Sequence, residues 1–310
     1  MQARQLGSAG PTVSLVGLGG NNFGVRLDER QTAEVVQAAL ESGITHFDTA
    51  EVYGNGRSEE FLGKALGSQR GEVTIASKFA RRPDGEPYRP GILRERILEG
   101  CEISLRRLGS DYIDIYYQHH PDPAAPVEET LEALQLLLDQ GKIRYAACSN
   151  LAASEIEAAV DASKTAGRAS FVAAQIHWNL LFREVESELV PVLRRRALGI
   201  VPYFPLESGL LTGKYRRGKP FPAGSRLASS GRYASLAGDA TLDYVERLSD
   251  FAGERGHSLL ELAFAWLAAQ DGVGSIIAGA TSREQVLTNV LAGNAWRLST
   301  EDLAAIPPRF

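Results

Sequence analysis

Two cysteines, one methionine and three tryptophans are all that this 310-residue chain carries of those types. Cys101 and Cys148 are too few for a disulfide framework, and no CxxC or Cys/His spacing points to structural zinc. Both read as small buried apolar residues. An excess of one charge is also missing: 33 basic against 38 acidic residues leave −5, which excludes a polybasic nucleic-acid binder. No apolar run reaches the roughly 20 residues of a membrane span. The start, MQARQLGSAGP, lacks the apolar core of a secretory signal, so a soluble cytoplasmic protein with no membrane or nucleic-acid partner is expected. Composition breaks and low-complexity stretches are absent too, and residues 1–310 read as one domain.

What is present is a repeat of short apolar runs, each followed by a helical pattern. VSLVGLG precedes residues 28–43, HFDTA precedes 58–66, VTIASK precedes 89–108, and YIDIYYQHH precedes 127–140. YAACSN, FVAAQI, GIVPY and GSIIAGA continue the series with helical patterns over 152–167, 184–198, a long helical segment and 283–292. Runs of four to six apolar residues with little alternation suit strands covered on both faces, as in a parallel sheet wrapped by helices. Eight such units favour an α/β fold of the closed (β/α)8, TIM-barrel type. A doubly wound sheet would need GxGxxG after its first strand, but Asn22 holds the last glycine position after Gly17 and Gly19. Residues 1–13, with a Gly-Ser-Ala-Gly turn, predict a small N-terminal β-hairpin plugging the barrel floor.

The polar residues fall in a pattern of their own. Asp48, Lys78, His119, Ser149 with Asn150, Gln175 and Tyr203 each close a candidate strand at its C-terminal edge, the face on which such barrels build active sites. Each has a bland reading, such as a turn or a helix-capping box at DTAE for Asp48. Their coincidence on successive strands favours one pocket. An aspartate, a tyrosine (Tyr53), a lysine and a histidine without a Ser or Cys nucleophile motif suit proton transfer to a carbonyl oxygen. An ammonium beside a phenol lowers its pKa from ~10 and stabilises the phenolate. Lys78 would do this for Tyr53, Asp48 would supply the counter-charge, and a neutral histidine would orient the carbonyl. Successive strand residues point to opposite faces, so a regular strand sends only one of His119 and His120 inward, and spacing does not choose.

Between Gly209 and Gly238 stand six basic residues, Lys214, Arg216, Arg217, Lys219, Arg226 and Arg232, and no acid. In an acidic chain this suggests an anionic ligand. The turn Gly-Ala-Thr-Ser at 279–282 opens a helix whose free N–H groups favour phosphate, although Ser282 and Gln285 equally suit a capping box. A metal-dependent barrel hydrolase built on His46, Asp48, Lys78, His119 and His177 is the rival reading. It leaves Tyr53 and the basic loop idle.

The motifs GLGGNNFG at 17–24, FDTAEVYGNGRSEEFLGKAL at 47–66, SK at 77–78, YYQHHPDP at 116–123, SN at 149–150, PYFPLESGLLTGKY at 202–215 and GATSREQVLTN at 279–289 together resemble the aldo-keto reductases over essentially the whole chain. The resemblance implies a (β/α)8 barrel with an N-terminal hairpin and NADPH-dependent reduction of aldehydes or ketones, or oxidation of the corresponding alcohols. It places the catalytic tetrad on Asp48, Tyr53, Lys78 and His119. It implies that Ser149, Asn150 and Gln175 hold the nicotinamide carboxamide and that Tyr203 stacks on the ring. Pro205, Leu206, Ser208, Lys214 and Arg226 would line pyrophosphate and ribose, and Gly279, Thr281, Gln285 and Asn289 the adenosine end. Arg283 would meet the 2′-phosphate, and Gly20 and Asn21 complete the NADPH/NADP+ set, with no metal. Two positions depart from the family pattern: Phe204 stands where serine is commoner, and Glu207 lies near the cofactor phosphates. The family also includes channel β-subunits, so a regulatory protein that retains the cofactor is a second possibility. The substrate carbonyl or alcohol and any homo-oligomeric assembly are left open.

Overall fold

Alternation along each strand decides which side chains enter the barrel. A computed structural model describes residues 1–83, 85–229 and 235–309, so Arg232 of the basic loop lies outside the described residues. A hairpin of β1 (Ala3–Gln5) and β2 (Thr12–Ser14) comes first. Eight parallel strands then close a barrel: β3 (Val16–Gly19), β4 (His46–Asp48), β5 (Thr74–Phe79), β6 (Ile113–Gln118), β7 (Ile143–Ser149), β8 (Ala173–His177), β9 (Gly199–Tyr203) and β10 (Ile276–Gly279). They pair in chain order, and β10 returns to β3. Ala76, Ile115, Tyr117, Ala147, Ala173, Val201 and Ile277 form the inward cluster. Their strand neighbours Ile75, Tyr116, Ala146, Cys148, Ala174, Ile200 and Ile276 belong to a larger apolar cluster under the helices. Both faces are therefore apolar, which is why the strands read as near-continuous runs.

Helices follow the expected segments. The helix Glu29–Glu41 starts where Asp28 and Gln31 form a reciprocal capping box, and Ile92–Leu108 stops at the left-handed Gly109. After β9 the long segment resolves into a 3₁₀ stretch, Glu207–Thr212, a short helix, Arg226–Ser229, and two longer ones, Asp239–Gly253 and Leu259–Ala268. The helix Arg283–Ala295 follows β10. Among the described residues no helix is long and apolar enough to cross a membrane.

The hairpin plugs the floor through Leu6 and Val13, which join the inward cluster. Backbone approaches backbone there: a Cβ on Gly199 would lie 2.6 Å from the Gly7 nitrogen, and one on Gly7 would lie 2.5 Å from the Gly199 nitrogen. Only glycine fits at either position. VSLVGLG is not one strand, because Val13 and Ser14 belong to β2 and the barrel strand starts at Val16. The break sits at a side-chain bracket. The Ser14 hydroxyl donates to the Val16 carbonyl at 2.8 Å and accepts from the Thr45 N–H at 3.0 Å, while the Ser14 N–H donates to the Thr45 hydroxyl at 2.9 Å.

His46 on β4 is fully buried, with Nδ1 2.9 Å from the Ser275 hydroxyl and Nε2 without a partner among the described residues. Burial pushes its pKa from 6.5 down to about 4, with Asp48 opposing and Lys78 reinforcing the shift. The unfolded chain takes a proton near 6.5 that the native state refuses until about 4, so this contribution is complete above 6.5 and lost as pH falls through that window. At pH 5 the loss is about 2 kcal/mol. Urea unfolding of wild type and His46→Gln at pH 7.5 and pH 5 should show a smaller acid loss in the variant. Equal losses would clear His46 as the cause.

Candidate active site

Five inward residues near the C-terminal strand ends meet at one mouth. Asp48 ends β4, and its Oδ1 accepts from Lys78 Nζ of β5 at 2.6 Å and from Gln175 Nε2 of β8 at 2.7 Å. Lys78 is 0% exposed and donates also to the Thr49 carbonyl at 2.9 Å. Ser149 at the end of β7 donates to the Gln175 carbonyl at 3.0 Å, and the Tyr203 hydroxyl at the end of β9 donates to Asn150 Oδ1 at 2.8 Å. Asn150, left-handed at φ 61°, donates to the His119 carbonyl at 2.9 Å. No helix begins at Asp48, so the capping alternative is not realised.

Tyr53 comes from the loop after β4, on a tight turn in which Gly54, Asn55 and Gly56 all have positive φ. Gly56, at φ 90°, takes a conformation that residues with side chains rarely adopt, and a Cβ there would also have to displace the Arg107 guanidinium. The turn sets the Tyr53 ring centre 5.0 Å from Lys78 Nζ and 5.8 Å from the His119 ring. Burial raises the Tyr53 pKa, Lys78 pulls it down, Asp48 pushes it up, and the net is above 10. Lys78 thus acts in the expected direction but does not win, and the phenol keeps its proton at neutral pH. Burial works against the Lys78 ammonium, yet Asp48 and Tyr53 hold its pKa above the usual 10.5. Burial and the nearby Lys78 charge drive the His119 pKa down to about 3, so this imidazole is neutral.

His120 differs from the alternation argument. The regular strand stops at Gln118, so both histidines face the cleft, their rings stacked 4.6 Å apart at 21°.

The mouth opens into a cleft of about 940 Å³. Asn21, Asp48, Tyr53, His119, Ser149, Asn150, Gln175 and Tyr203 line its deep end. Pro205, Leu206, Ser208, Lys214 and Arg226 also line the cleft, as do Gly279, Thr281, Gln285 and Asn289. Lys78 lies beneath the floor. Gly20 and Arg283 do not line the cleft. The Gly20 N–H donates to the Asp48 carbonyl at 2.7 Å, and its own carbonyl accepts from Ser58 at 2.9 Å. Arg283 pairs with Glu41 at 2.6 Å, both about half exposed. Ser282 caps its helix by accepting from the Gln285 N–H, but the Gln285 carbonyl oxygen turns to the Thr281 N–H, so the capping box is only half formed. Sequence reading passed over Asn22, Arg26, Thr212, Glu284 and Thr288 on the wall. Asn22 and Arg26 had a usable signal, since Asn22 lies within the glycine cluster and Arg26 just after it, and they bond to Arg226 and to the Gly224 carbonyl respectively.

The rival metal set is not assembled. His46 faces Ser275, His177 faces Glu207, and no three His, Cys, Asp or Glu among the described residues stand where one metal ion could be held. A dinucleotide does suit the cleft. Asn21 Oδ1 and the Ser208 hydroxyl are buried on its wall without partners among the described residues, and Lys214 and Arg226 bring positive charge.

Residues 15–307 match the model of the Aldo/keto reductase family. The chain belongs to this family. It is 38% identical over 312 residues to a probable voltage-gated potassium channel subunit beta of Oryza sativa subsp. japonica, covering 98% of this chain and 94% of the relative. It is 34% identical over 320 residues to L-glyceraldehyde 3-phosphate reductase of Escherichia coli K12, covering 99% and 91%. Probable aldo-keto reductase 1 of Glycine max is 34% identical over 313 residues, covering 99% and 88%.

Lys78 is the charge that pulls the Tyr53 pKa down, and Lys78→Met removes it. If the Tyr53 phenolate is the base of an alcohol oxidation, that reaction slows in the variant and its rate–pH profile moves to higher pH. Weaker substrate binding with an unmoved profile would contradict the electrostatic role.

Proposed function

We propose that the protein is an NADP(H)-dependent reductase of small aldehydes or ketones, with Tyr53 as proton donor. The observation that carries this is the Tyr53 ring set 5.0 Å from Lys78 Nζ of the buried Asp48–Lys78 pair and 5.8 Å from the His119 ring at the cleft. A bound nicotinamide dinucleotide supplies a hydride to the carbonyl carbon. His119 orients the carbonyl oxygen, and the Tyr53 hydroxyl gives that oxygen its proton. Lys78 stabilises the phenolate left behind, and Asp48 keeps Lys78 charged. The reverse sequence oxidises an alcohol. Ser149, Asn150 and Gln175 are assigned to the carboxamide, and Lys214 and Arg226 to the phosphates. Glu207, placed near those phosphates, turns its carboxylate to His177 and Asn179 instead. The relative named L-glyceraldehyde 3-phosphate reductase supports a short oxygenated aldehyde as substrate. The rice relative supports a second reading, a channel-associated regulatory subunit that keeps its cofactor. A cytoplasmic setting suits both.

Tyr53→Phe should leave cofactor binding nearly intact and lower turnover by about 100-fold or more, the scale of lost general acid catalysis. Turnover is followed at the nicotinamide absorbance across a carbonyl panel. A variant as fast as wild type would take Tyr53 out of the mechanism, while tight cofactor binding without turnover of any panel member would favour the regulatory reading.

For cofactor choice, Arg283 stands at the first position of its helix, two residues after the Thr281 that lines the cleft. An exposed ion pair is worth little, so exchange of Glu41 for an incoming 2′-phosphate costs little. Arg283→Ala should weaken NADPH by about tenfold or more and leave NADH nearly unchanged. Fluorescence titration of both cofactors checks this, and equal changes would mean that Arg283 does not read the 2′-phosphate.

A further inference from the structure

Glu207 is an acid in a turn whose neighbours Leu206, Ser208 and Gly209 line the cleft, yet it is 7% exposed and absent from the cleft wall. Its Oε2 accepts from the His177 Nε2–H at 2.7 Å and from Asn179 Nδ2 at 2.6 Å. The same Asn179 amide nitrogen donates to the Phe204 carbonyl at 2.9 Å, and its Oδ1 accepts the N–H groups of Leu181 and Phe182. His177 is stacked between Phe182, 4.0 Å away at 11°, and Tyr203, 5.4 Å away at 15°. None of these clasp contacts involves the proton relay.

The clasp grips a strained segment. Phe204, Glu207 and Ser208 have φ of 53°, 39° and 56°, values that residues with side chains rarely adopt, and Gly209 follows at 95°. Such conformations persist only where the surroundings over-determine them. Asn179 holds the first of these residues by its carbonyl and, with His177, the second by its carboxylate. The result is a Ser208 hydroxyl that is buried, unpartnered among the described residues and on the cleft wall. The same contacts back the Tyr203 ring and keep the Glu207 charge turned inward.

We propose that His177, Asn179 and Glu207 are positioning residues that hold the 204–209 turn in its left-handed form before the cofactor arrives. The pre-set turn then presents Ser208, Gly209 and the Tyr203 ring to the phosphate-bearing and nicotinamide part of the dinucleotide. This inference rests on the dinucleotide reading above. Preorganisation of this kind raises affinity because the ordering is complete before binding.

The test compares Glu207→Ala, Glu207→Gln and His177→Phe by titrating the full chain with NADPH and, separately, with adenosine 2′-monophosphate, which lacks the phosphates and ring assigned to the turn. A glutamine side-chain oxygen can accept both bonds, so Glu207→Gln should bind NADPH as tightly as wild type or more tightly. Glu207→Ala and His177→Phe should weaken NADPH by about tenfold and leave the monophosphate unchanged. If Glu207→Ala binds NADPH as well as Glu207→Gln does, the carboxylate is no clasp and the inference fails. Equal losses for NADPH and the monophosphate would show general disruption and also overturn it. A wild-type protein that binds no NADPH would overturn the cofactor reading itself, before any variant is compared.

Discussion

An ammonium shut away from water stays charged only if the protein replaces its hydration, and Lys78 depends for this on Asp48 Oδ1 at 2.6 Å and the Thr49 carbonyl at 2.9 Å. The barrel register makes the pair possible. Asp48 lies level with Ala76 across the β4–β5 ladder, which puts Lys78 two residues nearer the mouth on the same inward face. Gln175 anchors the same carboxylate from the opposite side of the barrel, so three strands converge on one oxygen. The Lys78 charge in turn helps keep His119 neutral and opposes the burial that raises Tyr53. Removing either member of the pair would leave a buried charge without its partner, a loss of about 3–5 kcal/mol.

The two ends of the barrel solve different problems. Its floor is dry and apolar, closed by Leu6, Val13 and the Gly7–Gly199 approach. Its mouth carries most of the conformational strain: Asn55, Asn150, Phe204, Glu207 and Ser208 all have positive φ there, while Ala197 alone has it near the floor among described non-glycine residues. Strain concentrated where side chains must meet a ligand, on a scaffold rigid elsewhere, is the expected division between binding and stability.

The eight-fold βα alternation was legible because both strand faces are apolar, and the polar strand ends were legible because alternation carries Asp48, Lys78, Ser149, Gln175 and Tyr203 to the same side. The hairpin was visible as a glycine-containing turn, but its second strand was not separable from β3, since the Ser14–Thr45 bracket joins residues 31 apart. The position of His120 depended on where β6 ends, which periodicity does not state. The net state of the Tyr53 phenol depended on burial, which has no signature in the residue's neighbours. Arg283 has its partner 242 residues away in Glu41, and the direction of the Glu207 carboxylate is set by His177 and Asn179 on another strand end. The family motifs located the pocket, whereas these details belong to contacts remote in sequence.

The strands are not joined with equal strength around the circumference. β6 and β7 share five registered pairs, whereas β9 registers with β10 at Tyr203 and Ile277 and with the segment before it through the Ile200–Val273 bridge, after more than seventy residues of chain. The cleft lies over this junction, lined by Tyr203 at the end of β9 and Gly279 at the end of β10. A ligand seated there would touch both strand ends and so tie together two strands that are neighbours in the barrel but far apart in the chain.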